Sequence, residues 1–172
     1  MDDDAILIGI GANLTSPLHG APLQTCVAAV AAIGRTEIAV RRVSAWYESA
    51  PVPASDQPHY VNGVVAVETM LTPADLLARL HDIEAAFGRV RRARNEARVL
   101  DLDLLAFGRR VAAAPARPTL PHPRLAERAF VLLPLREVAP GWRHPVDGRR
   151  VDEMIAALDP EQDARRLDTP PE

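Results

Sequence analysis

Two aspartates, Asp101 and Asp103, stand one residue apart in the otherwise apolar stretch from Val99 to Phe107. In a β-strand their side chains project from one face, with Cα atoms about 6.6 Å apart, while the leucines beside them face the core. Two carboxylates about 6 Å apart repel by roughly 3 kcal/mol at an effective dielectric constant of about 20, so something positive must offset them. Neighbouring arginines or open solvent are the structural explanation. A hard cation such as Mg²⁺, which takes one or two carboxylates together with phosphate oxygens, is the functional one.

The segment just before this strand is rich in arginine. All 20 basic residues of the chain are arginine, and five of them lie between Arg89 and Arg98. A guanidinium group donates two parallel hydrogen bonds, which suits phosphate. Together with a cation, Arg89, Arg91, Arg92 and Arg98 would neutralise the charge that develops during phosphoryl transfer. A solvated basic loop is the alternative explanation.

Several other classes of site are excluded by composition. The chain contains no lysine and therefore no phosphate loop of the G-x-x-x-x-G-K-[ST] type, and Leu14 occupies the third glycine position of a G-x-G-x-x-G motif. Cys26 is the single cysteine, which rules out an internal disulfide framework, and we expect it to be a buried, inert thiol. No apolar run approaches the roughly 20 residues of a membrane span. The acidic N-terminus is unlike a secretory signal, so we expect a cytoplasmic protein without a membrane partner.

Periodicity and capping signals predict the elements that position these residues. They are a strand in AILIGIGANL, a helix over 22–33, β-rich runs in TEIAVRRVSAWY and YVNGVVAVETM, a helix from the N-cap Thr72 to Gly88, the strand over 99–107, a helix near 127–138 interrupted by Pro134, and a last helix over 151–158. Gly108 is predicted to turn the chain back towards RRVAA.

The order strand, helix, strand, strand, helix, strand matches the split βαβ pattern. It predicts an α+β fold: a ferredoxin-like antiparallel sheet with helices packed on one face, extra C-terminal elements and one hydrophobic core. We expect a single domain over residues 1–158 and a polar, frayed tail over residues 159–172.

Five sequence blocks follow one another across nearly the whole chain. They are IGANL, YESAPVPASDQPHYVNGVVAVET, LLARLHDIEAAFGRVR, ARVLDLDLLAFG and LPHPRLAERAFVLLPL. In this order they resemble the 6-hydroxymethyl-7,8-dihydropterin pyrophosphokinase family of folate biosynthesis. The resemblance implies an ATP-dependent diphosphokinase with two Mg²⁺ ions, which transfers diphosphate from ATP to the pterin's hydroxymethyl group and releases AMP.

The resemblance also implies roles for individual residues. Asp101 and Asp103 would bind the magnesium ions. The ATP side would be formed by His81, Glu84, Arg89, Arg91, Arg98, Arg117, Thr119, His122 and Arg128. The pterin side would be formed by Ser49, Val52, Tyr60, Asn62 and Phe130, with the ring stacked between the two aromatics. Arg89 and Arg98 would act in the chemical step, with Asp103 as a possible proton acceptor, and segments 48–59 and 89–97 would close over the substrates.

Two rival functions fit the same fold. A ferredoxin-like RNA-binding module needs exposed aromatics on its central strands, whereas only 4% of the residues are aromatic. Another phosphoryl or nucleotidyl transferase with two metal ions would differ in its products. We expect a monomer that binds ATP and a pterin, and no nucleic acid.

Overall fold

The computed structural model describes residues 2–51, 54–88 and 99–168. Six strands and four helices follow in chain order: β1 (Ile6–Ala12), α1 (Pro22–Gly34), β2 (Ala39–Val43), β3 (Tyr47–Ser49), β4 (Tyr60–Glu68), α2 (Pro73–Ala86), β5 (Asp101–Phe107), α3 (Ala129–Val138), α4 (Val151–Ala156) and β6 (Ala164–Arg166). Short 3₁₀ turns lie at Asp2–Asp4 and Leu125–Glu127.

The six strands form one antiparallel sheet in the order β5-β1-β4-β3-β6, and β2 also pairs with β4. Its centre is the long pairing of β1 with β4, flanked on the other side of β1 by β5. The predicted α+β fold with an antiparallel, ferredoxin-like sheet is confirmed. β5 is thus an edge strand, and its two aspartates stand beside β1.

Helix α2 begins where its local signals predict. The Thr72 hydroxyl accepts a hydrogen bond from the Asp75 backbone N–H at 3.2 Å, and Pro73 occupies the first turn, where its missing N–H has no helical partner to lose. Gly88 follows the helix with a φ of +91°, a conformation that glycine adopts without strain. The strand that follows places Asp101 at its first residue, two residues later than predicted.

The sheet carries a hydrophobic core on each face, so the expectation of helices on one face around one core is wrong. Helices α1 and α2 cover the first face, where Ile8, Ile10 and Leu102 are buried. Helices α3 and α4 cover the second, where Leu105 and Trp142 are buried. Leu105 belongs to the second core because it shares a strand face with Asp101 and Asp103.

Three local predictions also need correction, and one is confirmed. The run TEIAVRRVSAWY forms two short strands, β2 and β3, which both pair with β4. Gly108 turns the chain as predicted, and Ala112 beyond it forms an isolated bridge with Leu120. Pro134 lies inside α3 without ending it. The tail expected to fray contains β6, which pairs with β3.

Among the described residues, none of the helices combines the length and the apolar composition that crossing a bilayer demands.

Candidate active site

The two aspartates of β5 stand beside glycines of β1. Asp101 pairs with Gly11 and Asp103 with Gly9, and Gly11 pairs on its other side with Asn62 of β4. Directly opposed residues share a sheet face. The carboxylates of β5, the glycines of β1 and the carboxamide of Asn62 therefore lie side by side in one row. The row lies on the second face, the one that α3 covers in part.

The space for a side chain differs between the two glycines, and only Gly11 excludes one. A Cβ atom on Gly11 would lie 2.8 Å from Asn62 Oδ1, and one on Gly9 would lie 3.4 Å from Leu105 Cδ1. A side chain at position 11 would therefore displace the Asn62 carboxamide. We call this surface of Gly9 and Gly11 the glycine floor.

The pKa of Asp103 is raised to about 8, first by burial, then by the charge of Asp101 and a hydrogen bond between the two carboxyl groups. The Glu84 carboxylate raises the pKa further, and the Arg128 guanidinium opposes these effects. Half-buried carboxylates that repel each other in this way are what a divalent cation would stabilise, because its charge favours the ionised form of both. The donor set fits Mg²⁺, which binds carboxylate oxygens and fills its remaining positions with water and substrate phosphates. Within the described ranges, no group of three or more His, Cys, Asp or Glu side chains is arranged to hold a metal ion.

His122 lies along the outer edge of β5. Its backbone N–H donates to the Leu105 carbonyl at 2.8 Å, and its ring Nδ1 accepts from the Arg124 backbone N–H at 3.2 Å. The pKa of His122 is lowered to about 4, mainly by burial and then by the nearby Arg128 guanidinium. The ring is therefore neutral at pH 7, and because Nδ1 is an acceptor, Nε2 carries the proton and can donate it to an anion.

Arg128 precedes α3 and is partly buried beside the aspartates. Burial, followed by the charge of Arg124, lowers its pKa, and the charges of Asp103 and Asp101 oppose that change. Its Cζ lies 5.4 Å from the centre of the Phe130 ring, within the range of a cation–π contact. An arginine retains its charge under such perturbation, so Arg128 is a cation held next to the carboxylate pair.

Glu84, predicted on the nucleotide side, links α2 to β5. It is 1% exposed, and its Oε2 accepts a hydrogen bond of 2.9 Å from the Leu102 backbone N–H. It therefore fastens α2 to the residue between the two aspartates. His81, one turn earlier in α2, is exposed.

Arg117 and Thr119 lie in the segment that follows β5. The Thr119 hydroxyl donates to the Ala116 carbonyl at 3.0 Å. Arg117 lines an open cavity of about 490 Å³ together with Arg110 and the first residues of α2, and Leu120 closes one side of it.

The described residues among those predicted for the pterin lie on the second face of the sheet. Asn62 is buried and donates from Nδ2 to the Ser49 hydroxyl at 3.0 Å. Ser49 pairs with Tyr60, which is half-buried at the start of β4. Phe130, in the first turn of α3, is half-buried against the second core. Val52 lies outside the described residues, as do Arg89, Arg91, Arg92 and Arg98.

Sequence reasoning missed four residues of this region. The glycine floor was indicated by alternate glycines inside a strand, a pattern that marks close approach to the backbone. No local sequence pattern indicates the contact between Asn13 and Gln57, because their hydrogen bond joins residues 44 positions apart.

Comparison with known proteins identifies the family. The family model described as 7,8-dihydro-6-hydroxymethylpterin-pyrophosphokinase (HPPK) matches residues 7–140. The chain belongs to the HPPK family.

Curated relatives agree with this assignment. A 2-amino-4-hydroxy-6-hydroxymethyldihydropteridine pyrophosphokinase of Pseudomonas aeruginosa is 41% identical over 152 residues, which cover 88% of this chain and 90% of the relative. A protein of the same name from Synechocystis is 39% identical over 153 residues, covering 89% and 75%.

A solved HPPK-DHPS chain, crystallised in complex with substrates, has the same fold. It superposes with a TM-score of 0.66 over 89% of this chain and 45% of its own length, at 11% sequence identity. The fold is thus retained at 11% sequence identity.

Proposed function

We propose that this protein transfers a diphosphoryl group from ATP to the hydroxymethyl group of 6-hydroxymethyl-7,8-dihydropterin in folate biosynthesis. The hydroxymethyl oxygen attacks the β-phosphorus and the bond between that phosphorus and the α,β-bridging oxygen breaks. AMP leaves, the pterin diphosphate forms and the hydroxyl proton is released. The observation that carries the proposal is the row of Asp101, Gly11 and Asn62, in which a carboxylate and a carboxamide stand on either side of a glycine.

Asp101 and Asp103 would hold the magnesium that accompanies ATP, and two ions are proposed. Bound magnesium supplies charge neutralisation and alignment of the phosphates. Both side chains project from one strand face beside the glycine floor, and phosphate oxygens would complete the coordination of the ions. The raised pKa of Asp103 supports this role, because it shows that two ionised carboxylates at this distance repel each other unless a cation lies between them.

The remaining ATP contacts are assigned to cations and donors around β5. His122 donates from Nε2 and Arg128 contributes its charge next to the aspartates. Arg117, Thr119, His81 and Glu84 are proposed on the nucleoside side, and Arg89, Arg91 and Arg98 on the phosphates. Arg89 and Arg98 are proposed to act in the chemical step.

The pterin is proposed to stack between Tyr60 and Phe130 and to hydrogen-bond through Asn62, with the backbone near Ser49 and Val52 also in contact. A carboxamide offers both a donor and an acceptor to the edge of a pterin. The Ser49 hydroxyl accepts from Asn62 Nδ2, which leaves the Oδ1 side of Asn62 facing Gly11 and the glycine floor. Stacking on an aromatic pair adds about 0.5 to 1.5 kcal/mol per contact beyond burial of area.

The decisive experiment is incubation of the protein with ATP, Mg²⁺ and 6-hydroxymethyl-7,8-dihydropterin, followed by separation of the nucleotides. AMP and the pterin diphosphate are expected in equal amounts, and ADP or free diphosphate in place of AMP would contradict the proposal. Asp103→Asn is expected to abolish AMP release while leaving pterin binding intact. The proposed state is a monomer in the cytoplasm that binds no nucleic acid, which sedimentation and an RNA titration at two salt concentrations would test.

A further inference from the structure

The loop that precedes β4 is tied to the end of β1 by a side-chain network that reaches the proposed pterin site. Asn13, the residue after β1, is 1% exposed and donates from Nδ2 to Gln57 Oε1 at 3.1 Å and to the Pro58 carbonyl at 3.2 Å. The Tyr60 hydroxyl donates to the same Gln57 Oε1 at 3.3 Å. One carboxamide oxygen thus joins the end of β1, the loop and the aromatic ring proposed to stack on the pterin.

The chemistry of this network fixes the orientation of Gln57. A carboxamide oxygen has two acceptor sites, and here two donors use them, the Asn13 amide and the Tyr60 phenol. The Gln57 backbone N–H donates to the Ser55 hydroxyl at 3.2 Å, which sets its main chain. The phenol is anchored at its far end, so its hydrogen bond to Gln57 determines the tilt of the Tyr60 ring.

We propose that Gln57 is a positioning residue for the pterin: held by Asn13, it sets the tilt of the Tyr60 ring and so preorganises the stacking surface before the pterin arrives. This inference rests on the proposed function. Preorganisation raises affinity because the ring is not ordered at the moment of binding. Gln57 acts through Tyr60, so its loss affects the pterin and leaves ATP unaffected.

The loop has a second attachment that keeps it in place when Gln57 is changed. Glu48 accepts a hydrogen bond from Arg165 at 2.9 Å, and its other carboxylate oxygen lies 3.2 Å from His59 Nδ1. Removal of the Gln57 carboxamide therefore tests the orientation of Tyr60 rather than the presence of the loop.

The test compares Gln57→Leu, Gln57→Glu, Tyr60→Phe and the Gln57→Leu/Tyr60→Phe double variant. Pterin affinity is measured by fluorescence titration in Mg²⁺ and α,β-methylene ATP, and kcat and KM by AMP release. Gln57→Leu and Tyr60→Phe are each expected to weaken pterin binding about tenfold, the loss of one hydrogen bond. The double variant should be no weaker than the worse single variant, since both changes remove the same interaction. Gln57→Glu retains the acceptor oxygen and should restore affinity, and the KM for ATP should not change.

Gln24→Leu is the matched control. Gln24 also uses its carboxamide oxygen, which accepts from the Ala21 backbone N–H at 2.7 Å at the start of α1, and its loss should leave pterin affinity unchanged. Unchanged pterin affinity in Gln57→Leu, or additive effects in the double variant, would overturn the inference. If Gln57→Leu does not fold, Tyr60→Phe decides alone, because it removes only the hydroxyl. A wild-type protein that releases no AMP refutes the proposed function instead.

Discussion

The Glu84 carboxylate accepts a hydrogen bond of 2.9 Å from the backbone N–H of Leu102, the residue that separates Asp101 from Asp103. An edge strand has unpaired backbone groups on its outer side, and a buried carboxylate of α2 satisfies one of them here. The position of the Asp101–Asp103 pair relative to α2 is thereby set from the first core, which lies on the opposite side of the sheet from the two carboxylates.

Glu84→Ala should therefore weaken both the fold and the site. Loss of a charge-assisted hydrogen bond that leaves a buried N–H unsatisfied is expected to lower the free energy of unfolding by about 1 to 3 kcal/mol. Urea unfolding measures this, and AMP release at saturating ATP should fall with it. Asp82→Ala is the control on the same helix: Asp82 is exposed and lies 3.7 Å from Arg79, so its loss should change stability little. Equal effects of the two substitutions would contradict this assignment.

Asp103→Asn should separate stability from activity. The folded protein raises the pKa of Asp103 from 3.8 to about 8, so ionised Asp103 destabilises the fold in the absence of magnesium. This destabilisation is absent below pH 3.8, develops as the pH rises, and is complete above pH 8. The metal-free variant is expected to be at least about 1 kcal/mol more stable than the wild type at pH 8 and equal to it near pH 4. Calorimetry at the two pH values measures this, and a less stable variant at pH 8 would disprove it.

Gly11→Ala should damage pterin binding through Asn62. The added methyl would meet Asn62 Oδ1 at 2.8 Å, so the carboxamide must rotate away from the floor. Pterin affinity, measured by fluorescence, is expected to fall about tenfold or more, the equivalent of one displaced hydrogen bond. Gly34→Ala is the matched control. A Cβ atom added to Gly34 would meet nothing within 4 Å, and alanine at the end of α1 should stabilise the helix by about 0.5 to 1 kcal/mol.

Cys26 should not react in the folded protein. Burial raises the pKa of its thiol to about 12, and the side chain is 0% exposed. The thiolate is the reactive form, so Ellman's reagent at pH 8 should label the native protein negligibly and the urea-unfolded protein once. Rapid labelling of native protein would show that α1 opens from the sheet.

Asp3 should make stability depend on acid pH. Hydrogen bonds from Arg143 hold the pKa of the Asp3 carboxyl below its usual range, and partial burial opposes them. Its contribution is present above about pH 4 and is lost as the pH falls through the lowered folded-state pKa. Asp3→Asn should lower the free energy of unfolding by no more than about 1 kcal/mol at pH 7, and by less at pH 3. Asp4→Asn, which removes a more exposed carboxylate that contacts Arg109, is the comparison.

Local signals predicted the parts of the fold that depend on neighbours in the chain. The N-cap at Thr72 and the alternation around Asp101 are of this kind, since each involves residues within a few positions. The second core was not predicted because the apolar side of α3 packs against β4, a strand that lies more than 60 residues earlier in the chain. β6 was missed for the same reason: three residues form a strand only by pairing with β3.

The candidate site divides in the same way. The carboxylate pair was predictable because both members lie on one strand face. The role of Glu84 was not, because its partner is a backbone N–H of another element and no side-chain pattern reports on it. The Asn13–Gln57–Tyr60 network is equally invisible in the sequence, since its members come from the end of β1, a loop and β4.

The glycine floor has a consequence for inhibitor design. A compound seated on it would rest against peptide groups, so drug resistance could not arise there by trimming a side chain. Resistance by enlargement is also hindered at position 11, because a side chain there strikes Asn62, whereas a methyl group at position 9 makes an ordinary contact with Leu105. A compound confined to this patch would leave the enzyme few routes of escape that preserve its own turnover.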